Sequence, residues 1–169
     1  SANKVYDGTA LTNGEYTENG VVDGHQFKVT MTAESTITNV GTESNVIATV
    51  DGVKVTTGEA TVIGNYKVTT NNGTLTIKPC PLTITVNDSK EYDGKLLDTA
   101  YDKSGAVTTD NLVTGDSLTA GKIETKNGYV GTYVYNTDPK VTESTITEAF
   151  ETKNGIGNYD VTIVSTQEI

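Results

Sequence analysis

Apolar residues recur at every second position in short runs along the whole chain. Phe27, Val29 and Met31 alternate with Lys28, Thr30 and Thr32, and the same period runs through Val53/Val55, Tyr66/Val68, Leu75/Ile77, Leu82/Ile84/Val86 and Tyr159/Val161/Ile163. A period of two puts successive side chains on opposite faces of an extended backbone, so these runs predict β-strands with one buried face, and their apolar members form the expected core. Asp51-Gly52, Asn72-Gly73 and Asn127-Gly128 are dipeptides that accept the positive φ of tight hairpins and are predicted turns. No segment carries a helical period.

The chain is self-similar. Asn3-Lys4-Val5-Tyr6-Asp7-Gly8 recurs as Ser89-Lys90-Glu91-Tyr92-Asp93-Gly94, Val40-Gly41-Thr42 as Val130-Gly131-Thr132, and Gly64-Asn65-Tyr66-Lys67-Val68-Thr69 as Gly157-Asn158-Tyr159-Asp160-Val161-Thr162, at offsets of 86, 90 and 93. Self-similarity at a near-constant spacing means two copies of one module in tandem, the second lengthened by small insertions. Pro79 and Pro81 flank Cys80 between the copies, removing ladder donors and stiffening the chain. The expected domains are therefore 1–79 and 80–169. Several short strands in modules of this size predict an all-β chain of two tandem antiparallel β-sandwiches, immunoglobulin-like in architecture. A β-grasp-like small sheet curled around one short helix is the alternative. The second copy opens with Leu82-Thr83-Ile84-Thr85-Val86 ahead of its Lys90, whereas only Ser1-Ala2-Asn3 precede Lys4. The first module is thus expected to lack its opening strand and to expose a sheet edge or groove, as in a fragment of a longer array.

Composition sharpens this reading. Of 169 residues, 32 are Thr, 19 Val and 17 Gly, with no Trp, which is strand-and-turn usage. Twenty-two acidic residues against 12 basic ones give a net charge of −10, and all 12 basic residues are Lys. That field repels nucleic acid, and the guanidinium fork that reads phosphate or guanine is missing, so nucleic acid is excluded as a partner. No apolar run approaches the roughly 18 residues of a membrane span, so no membrane insertion is expected. One His (His25) and one Cys (Cys80) furnish no Ser/His/Asp set and no zinc cage, so neither catalysis nor a cofactor is expected.

The ordered motifs, Lys-x-Tyr-Asp-Gly, then Val-Gly-Thr, then Gly-Asn-Tyr-x-Val-Thr, resemble the YDG and MBG repeat modules of large bacterial cell-surface proteins. The resemblance covers essentially the whole chain, twice. It departs at Glu43, where the second copy has Tyr133, and in the closing strand of the second copy, which lacks the Gly-Thr-Leu spelling. What the resemblance implies is an extracellular, adhesin-like module on a bacterial surface, set among neighbouring repeats of its own chain.

Each candidate site has a structural reading beside the functional one. Tyr6-Asp7-Gly8 and Tyr92-Asp93-Gly94, with Tyr66 and Tyr159, read as structural motifs: a buried tyrosine under an Asp-Gly turn, repeated because every module needs it to fold. Tyr129, Tyr133 and Tyr135 are the candidate binding residues. Tyr133 and Tyr135 share a strand face and align with the polar Glu43 and Asn45, which points to an exposed aromatic strand able to stack on host glycans or glycoproteins. Asp98, Asp102, Asp110 and Asp116 invite a calcium reading, but the alternating Asp-x-Asp-x-Asp-Gly loop is absent and a solvated acidic surface is expected instead. Lys4 or Lys90 beside Asn65 or Asn158 are the repeated pairs from which an internal amide cross-link could form.

Overall fold

The computed structural model describes residues 1–135 and 143–169. The chain divides into two compact units, Ser1–Lys78 and Pro79–Ile169. Both are built from strands; among the described residues the one helical turn is a 3-10 turn at Ile156–Asn158. The β-grasp alternative thus lacks its helix.

The first unit contains β1 (Ala2–Val5), β2 (Val29–Met31), β3 (Gly41–Asn45), β4 (Ile47–Val50), β5 (Val53–Lys54), β6 (Ala60–Ile63), β7 (Tyr66–Thr69) and β8 (Gly73–Lys78). They form three small sheets, ordered β1-β8-β3, β2-β4-β5 and β6-β7. Asp51 and Gly52, with φ of 47° and 78°, turn β4 into β5 as the sequence predicts. Asn72-Gly73 does not make a hairpin. The hairpin partner of β7 is β6, reached through Gly64-Asn65, and residues 70–72 interrupt the path from β7 to β8. Leu75 and Ile77 are fully buried, while Val50, Val55 and Ile63 form a second cluster against half-buried Phe27, Val29, Ile47 and Val68.

The second unit contains β9 (Cys80–Ser89), β10 (Asp98–Ala100), β11 (Val107–Asp110), β12 (Leu118–Thr125), β13 (Thr132–Tyr135), β14 (Ser144–Thr152) and β15 (Tyr159–Glu168). They form one sheet ordered β11-β9-β15-β13 and another ordered β10-β12-β14. Leu82, Ile84 and Val86 on β9 and Ile123 on β12 are fully buried. The Gln167 amide on β15 donates to the Leu97 carbonyl, to Thr99 Oγ1 on β10 at 2.8 Å and to the Ile123 carbonyl, tying the first sheet to the second. Register shifts between β12 and β14 centre on Gly121, whose φ is 134°. A Cβ there would stand 2.2 Å from the Phe150 ring.

The units share a register that the sequence motifs only hint at. β3 pairs antiparallel with β8 (Thr42 opposite Thr76), as β13 does with β15 (Thr132 opposite Glu168). β1 pairs with β8 (Asn3 opposite Thr76) as β9 does with β15 (Ser89 opposite Glu168), and both of these pairings are parallel. The purely antiparallel expectation is therefore corrected. Each parallel pair joins the first and last strands of its unit, so the rest of the module serves as the long crossover that parallel pairing requires. Cys80–Ser89 gives ten paired positions in the second unit, where Ala2–Val5 gives four in the first.

Candidate functional site

The repeated Lys-x-Tyr-Asp-Gly segments fold into the same loop twice. Lys4 Nζ donates to Asp7 Oδ1, Thr9 Oγ1 and the Thr9 carbonyl, each at 2.7 Å. Lys90 Nζ donates to Asp93 Oδ1 at 2.6 Å and to the carbonyls of Lys95 and Leu96 at 2.7 and 2.9 Å. Each aspartate also accepts the backbone N–H two residues on, from Thr9 or Lys95. Gly8 and Gly94 stand at φ 78° and 75°, a conformation that a Cβ disfavours. An ammonium held by a carboxylate and by chain carbonyls closes the loop, so the motif's Lys, Asp and Gly each have a structural task. The Lys4 bond, then the Thr9 N–H and hydroxyl, lower the Asp7 pKa from 3.8 to about 2; the Lys90 bond, then the Lys95 N–H, likewise lower that of Asp93. Lys4 and Lys90 are thus engaged within their own loops rather than with Asn65 or Asn158. The tyrosine is the variable member. Tyr6 is 3% exposed, as expected, but Tyr92 is 61% exposed, against the expectation of a buried ring. The clasp shapes the loop without it.

Tyr66 and Tyr159 each pin a loop by the hydroxyl. Tyr66 Oη accepts from the Val22 N–H at 3.1 Å and lies 2.6 Å from His25 Nδ1; Tyr159 Oη accepts from the Val113 N–H at 3.3 Å and donates to Asp116 Oδ2 at 2.6 Å. Both loops are tight turns, with the His25 N–H bonded to the Val22 carbonyl and the Asp116 N–H to the Val113 carbonyl. Sequence reasoning missed this repeat, Val22-Asp23-Gly24-His25 and Val113-Thr114-Gly115-Asp116, whose offset of 91 falls among those of the other motifs. Burial pushes the Asp116 carboxyl up, but bonds from Tyr159 and from the N–H groups of Asn154 and Ser117 outweigh it and lower its pKa. Asp116 is a loop organiser, and Asp98 faces Lys122 at 3.4 Å. Among the described residues no three His, Cys, Asp or Glu side chains converge as a metal would require.

The candidate aromatic strand is split by the fold. Tyr133 is 6% exposed, with its hydroxyl bonded to Asn127 Oδ1 and 2.7 Å from the Tyr129 carbonyl. Tyr135 is half-buried, and Tyr129 alone is well exposed, at 71%. The aligned Asn45, read as a sign of an open face, is buried, and its amide donates to the Asn13 carbonyl at 2.8 Å. Asn45 thus finds a backbone partner inside the module instead of facing water, whereas Glu43, aligned with the buried Tyr133, is exposed, so the polar residues of the first unit do not report the face of the second. Asn127-Gly128, predicted as a hairpin turn, is a bend whose glycine abuts the Lys95 backbone.

A second polar cluster ties together the second unit. Asp88 on β9 is buried and accepts from Thr99 Oγ1 at 2.6 Å, from the Ser89 N–H at 2.9 Å and from Lys103 Nζ. Burial opposes its charge, but the Lys103 and Thr99 bonds prevail and its pKa lies below the usual value. Thr99 also receives the Gln167 amide, so the cluster runs from β9 through β10 to β15. Every member has a partner that fixes backbone or sheet, which is the economy of a structural network rather than of a reacting centre. No family model, curated protein or solved structure matches this chain.

Proposed function

We propose that the chain is a repeat region of a bacterial cell-surface, adhesin-like protein of the YDG/MBG type, acting as a non-catalytic stalk or adhesive module outside the cell. The observation that carries this reading is the double construction of the Lys-x-Tyr-Asp-Gly loop: its recurring Lys, Asp and Gly are spent on holding each module's shape. We read the two sheets of the second unit, bridged by Gln167, as an immunoglobulin-like sandwich, and the acidic, threonine-rich exterior as a surface suited to repeated modules that must stay soluble. Antibodies raised against the chain should label intact, unpermeabilised source cells; labelling only after permeabilisation would overturn the surface role.

Exposed Tyr129 and its neighbour Val130 favour a second reading, a carbohydrate- or glycoprotein-binding module. A glycan array separates the two. Silence supports the stalk, whereas a signal lost in Tyr129→Ser supports recognition.

A further inference from the structure

Asparagine followed by glycine is the dipeptide at which a chain most readily modifies itself. With no Cβ on the second residue, its backbone nitrogen reaches the asparagine Cγ with little steric hindrance. The chain has five such pairs: Asn13-Gly14, Asn19-Gly20, Asn72-Gly73, Asn127-Gly128 and Asn154-Gly155. The reaction needs the side chain to swing its Cγ onto the next backbone nitrogen, so a carboxamide or an N–H that the fold holds elsewhere is protected.

Four of the five are held. Asn13 Oδ1 accepts the Glu15 N–H at 2.9 Å, and its amide donates to the Ser1 carbonyl at 3.1 Å. Asn72 Oδ1 accepts from Thr57 Oγ1 at 2.6 Å, and Asn127 Oδ1 accepts from the Tyr129 N–H at 3.0 Å and from the Tyr133 hydroxyl. At Asn154 the nucleophile itself is engaged, since the Gly155 N–H donates to the Thr152 carbonyl at 3.1 Å. Asn19 differs from all of these. It is exposed, and among the described residues neither its carboxamide nor the Gly20 N–H has a hydrogen-bond partner. Residues 12–28 contain no strand. Within them Glu18 Oε1 accepts the Phe27 N–H at 2.9 Å and Tyr66 Oη accepts the Val22 N–H at 3.1 Å, so Asn19-Gly20-Val21 spans the interval between two anchors. No atom lies within 4 Å of where a Cβ on Gly20 would stand, which leaves room for a ring to close.

We infer that Asn19 is a self-modification site, at which the chain turns a neutral carboxamide into a carboxylate with water as the one co-reactant. The Gly20 nitrogen gives up its proton and bonds to Asn19 Cγ; the Cγ–Nδ2 bond breaks, Nδ2 leaves with that proton as ammonia, and a five-membered imide closes. Water then opens the imide. Attack at Cγ leaves aspartate, and attack at the backbone carbonyl leaves isoaspartate, whose main chain runs through Cγ and is one bond longer. Either product adds a negative charge beside Glu18 in a chain already at −10, and isoaspartate lengthens the interval between the two anchors. The loop thus carries a record of the chain's age. The inference does not depend on the surface role.

The test keeps the full chain folded at neutral pH and physiological temperature and follows every asparagine by peptide mapping with tandem mass spectrometry. Asn19 should convert at least tenfold faster than each of the other four, because local structure protects them. The intact mass should rise by about 1 Da, with isoaspartate among the products. In guanidinium chloride, where the fold no longer holds any side chain, the five should convert within about threefold of one another. Gly20→Ala places a Cβ beside the attacking nitrogen and should slow Asn19 at least fivefold, and Asn19→Gln should remove the fast conversion altogether. An Asn19 that reacts no faster than the other four in the folded chain would overturn the inference. So would a fast conversion to aspartate without isoaspartate, or one indifferent to Gly20→Ala, since water would then attack the carboxamide directly.

Discussion

At the scale of single residues, Asp7 reports directly on the lysine clasp. Its carboxyl is held by the Lys4 ammonium and the Thr9 donors to a pKa of about 2, below the ordinary 3.8. Because the folded value is depressed, the contribution of this carboxylate to stability is complete above 3.8 and is lost as pH falls toward 2. An NMR titration of the Asp7 carboxyl should show its midpoint near 2, and Lys4→Met should return it toward 3.8; an unchanged midpoint in the variant would show that the ammonium is not the cause. The tyrosines give a contrast within one unit. Tyr133→Ser removes a ring buried on β13 and should cost about 3 kcal/mol or more. Tyr92→Ser removes one that lies mostly in water and should stay within about 0.5 kcal/mol. Chemical denaturation measures both, and comparable losses would contradict the burial that separates them.

At the scale of elements, Gly121 sets how β12 meets β14. Its positive φ and the Phe150 ring 2.2 Å from an added Cβ act together, so Gly121→Ala should cost about 3 kcal/mol through strain and overpacking, and Phe150→Leu should recover part of it. A neutral Gly121→Ala in a denaturant melt would mean that the register shifts can relax. The strands themselves were legible because burial of one face imposes a period of two: Leu75/Ile77, Leu82/Ile84/Val86 and the Asp51-Gly52 turn stand where alternation and turn chemistry put them. Which strands pair was not legible. Nothing local in Ala2–Val5 or Cys80–Ser89 announces a parallel partner some seventy positions away, and Asn72-Gly73 looks like a hairpin until Gly64-Asn65 takes the hairpin for β6. The candidate site was less legible still. Period two distinguishes one face from the other but not inside from outside, so Tyr133 and Tyr135 were placed on one face correctly and in water incorrectly. The lysine clasp was hidden for another reason: the sequence shows a repeated Lys, but not that its ammonium turns back onto its own loop.

At the scale of the whole molecule, the two units differ in how much of the shared plan they fill. Leu82, Ile84 and Val86 are fully buried in the second unit, on a strand with ten paired positions, where β1 of the first unit has four. Each such side chain, fully buried, contributes roughly 1.5–3 kcal/mol. Residues 79–169 expressed alone should therefore melt at least about 10 °C above residues 1–78 expressed alone, a gap of this size following from a few kcal/mol in domains of about 80–90 residues. Equal midpoints would mean that the longer first strand adds nothing to stability. The parallel ladder of β9 and β15 has a mechanical consequence. Its two strands are the first and last of their unit, and because they run the same way, the chain enters beside Tyr159 and leaves beside Ser89, at opposite ends of ten paired positions. Tension on the backbone therefore pulls along the ladder and loads its hydrogen bonds in shear, all sharing the load, whereas peeling would break them one after another. Single-molecule stretching should find the second unit yielding at markedly higher force than the first, whose ladder between β1 and β8 spans four positions.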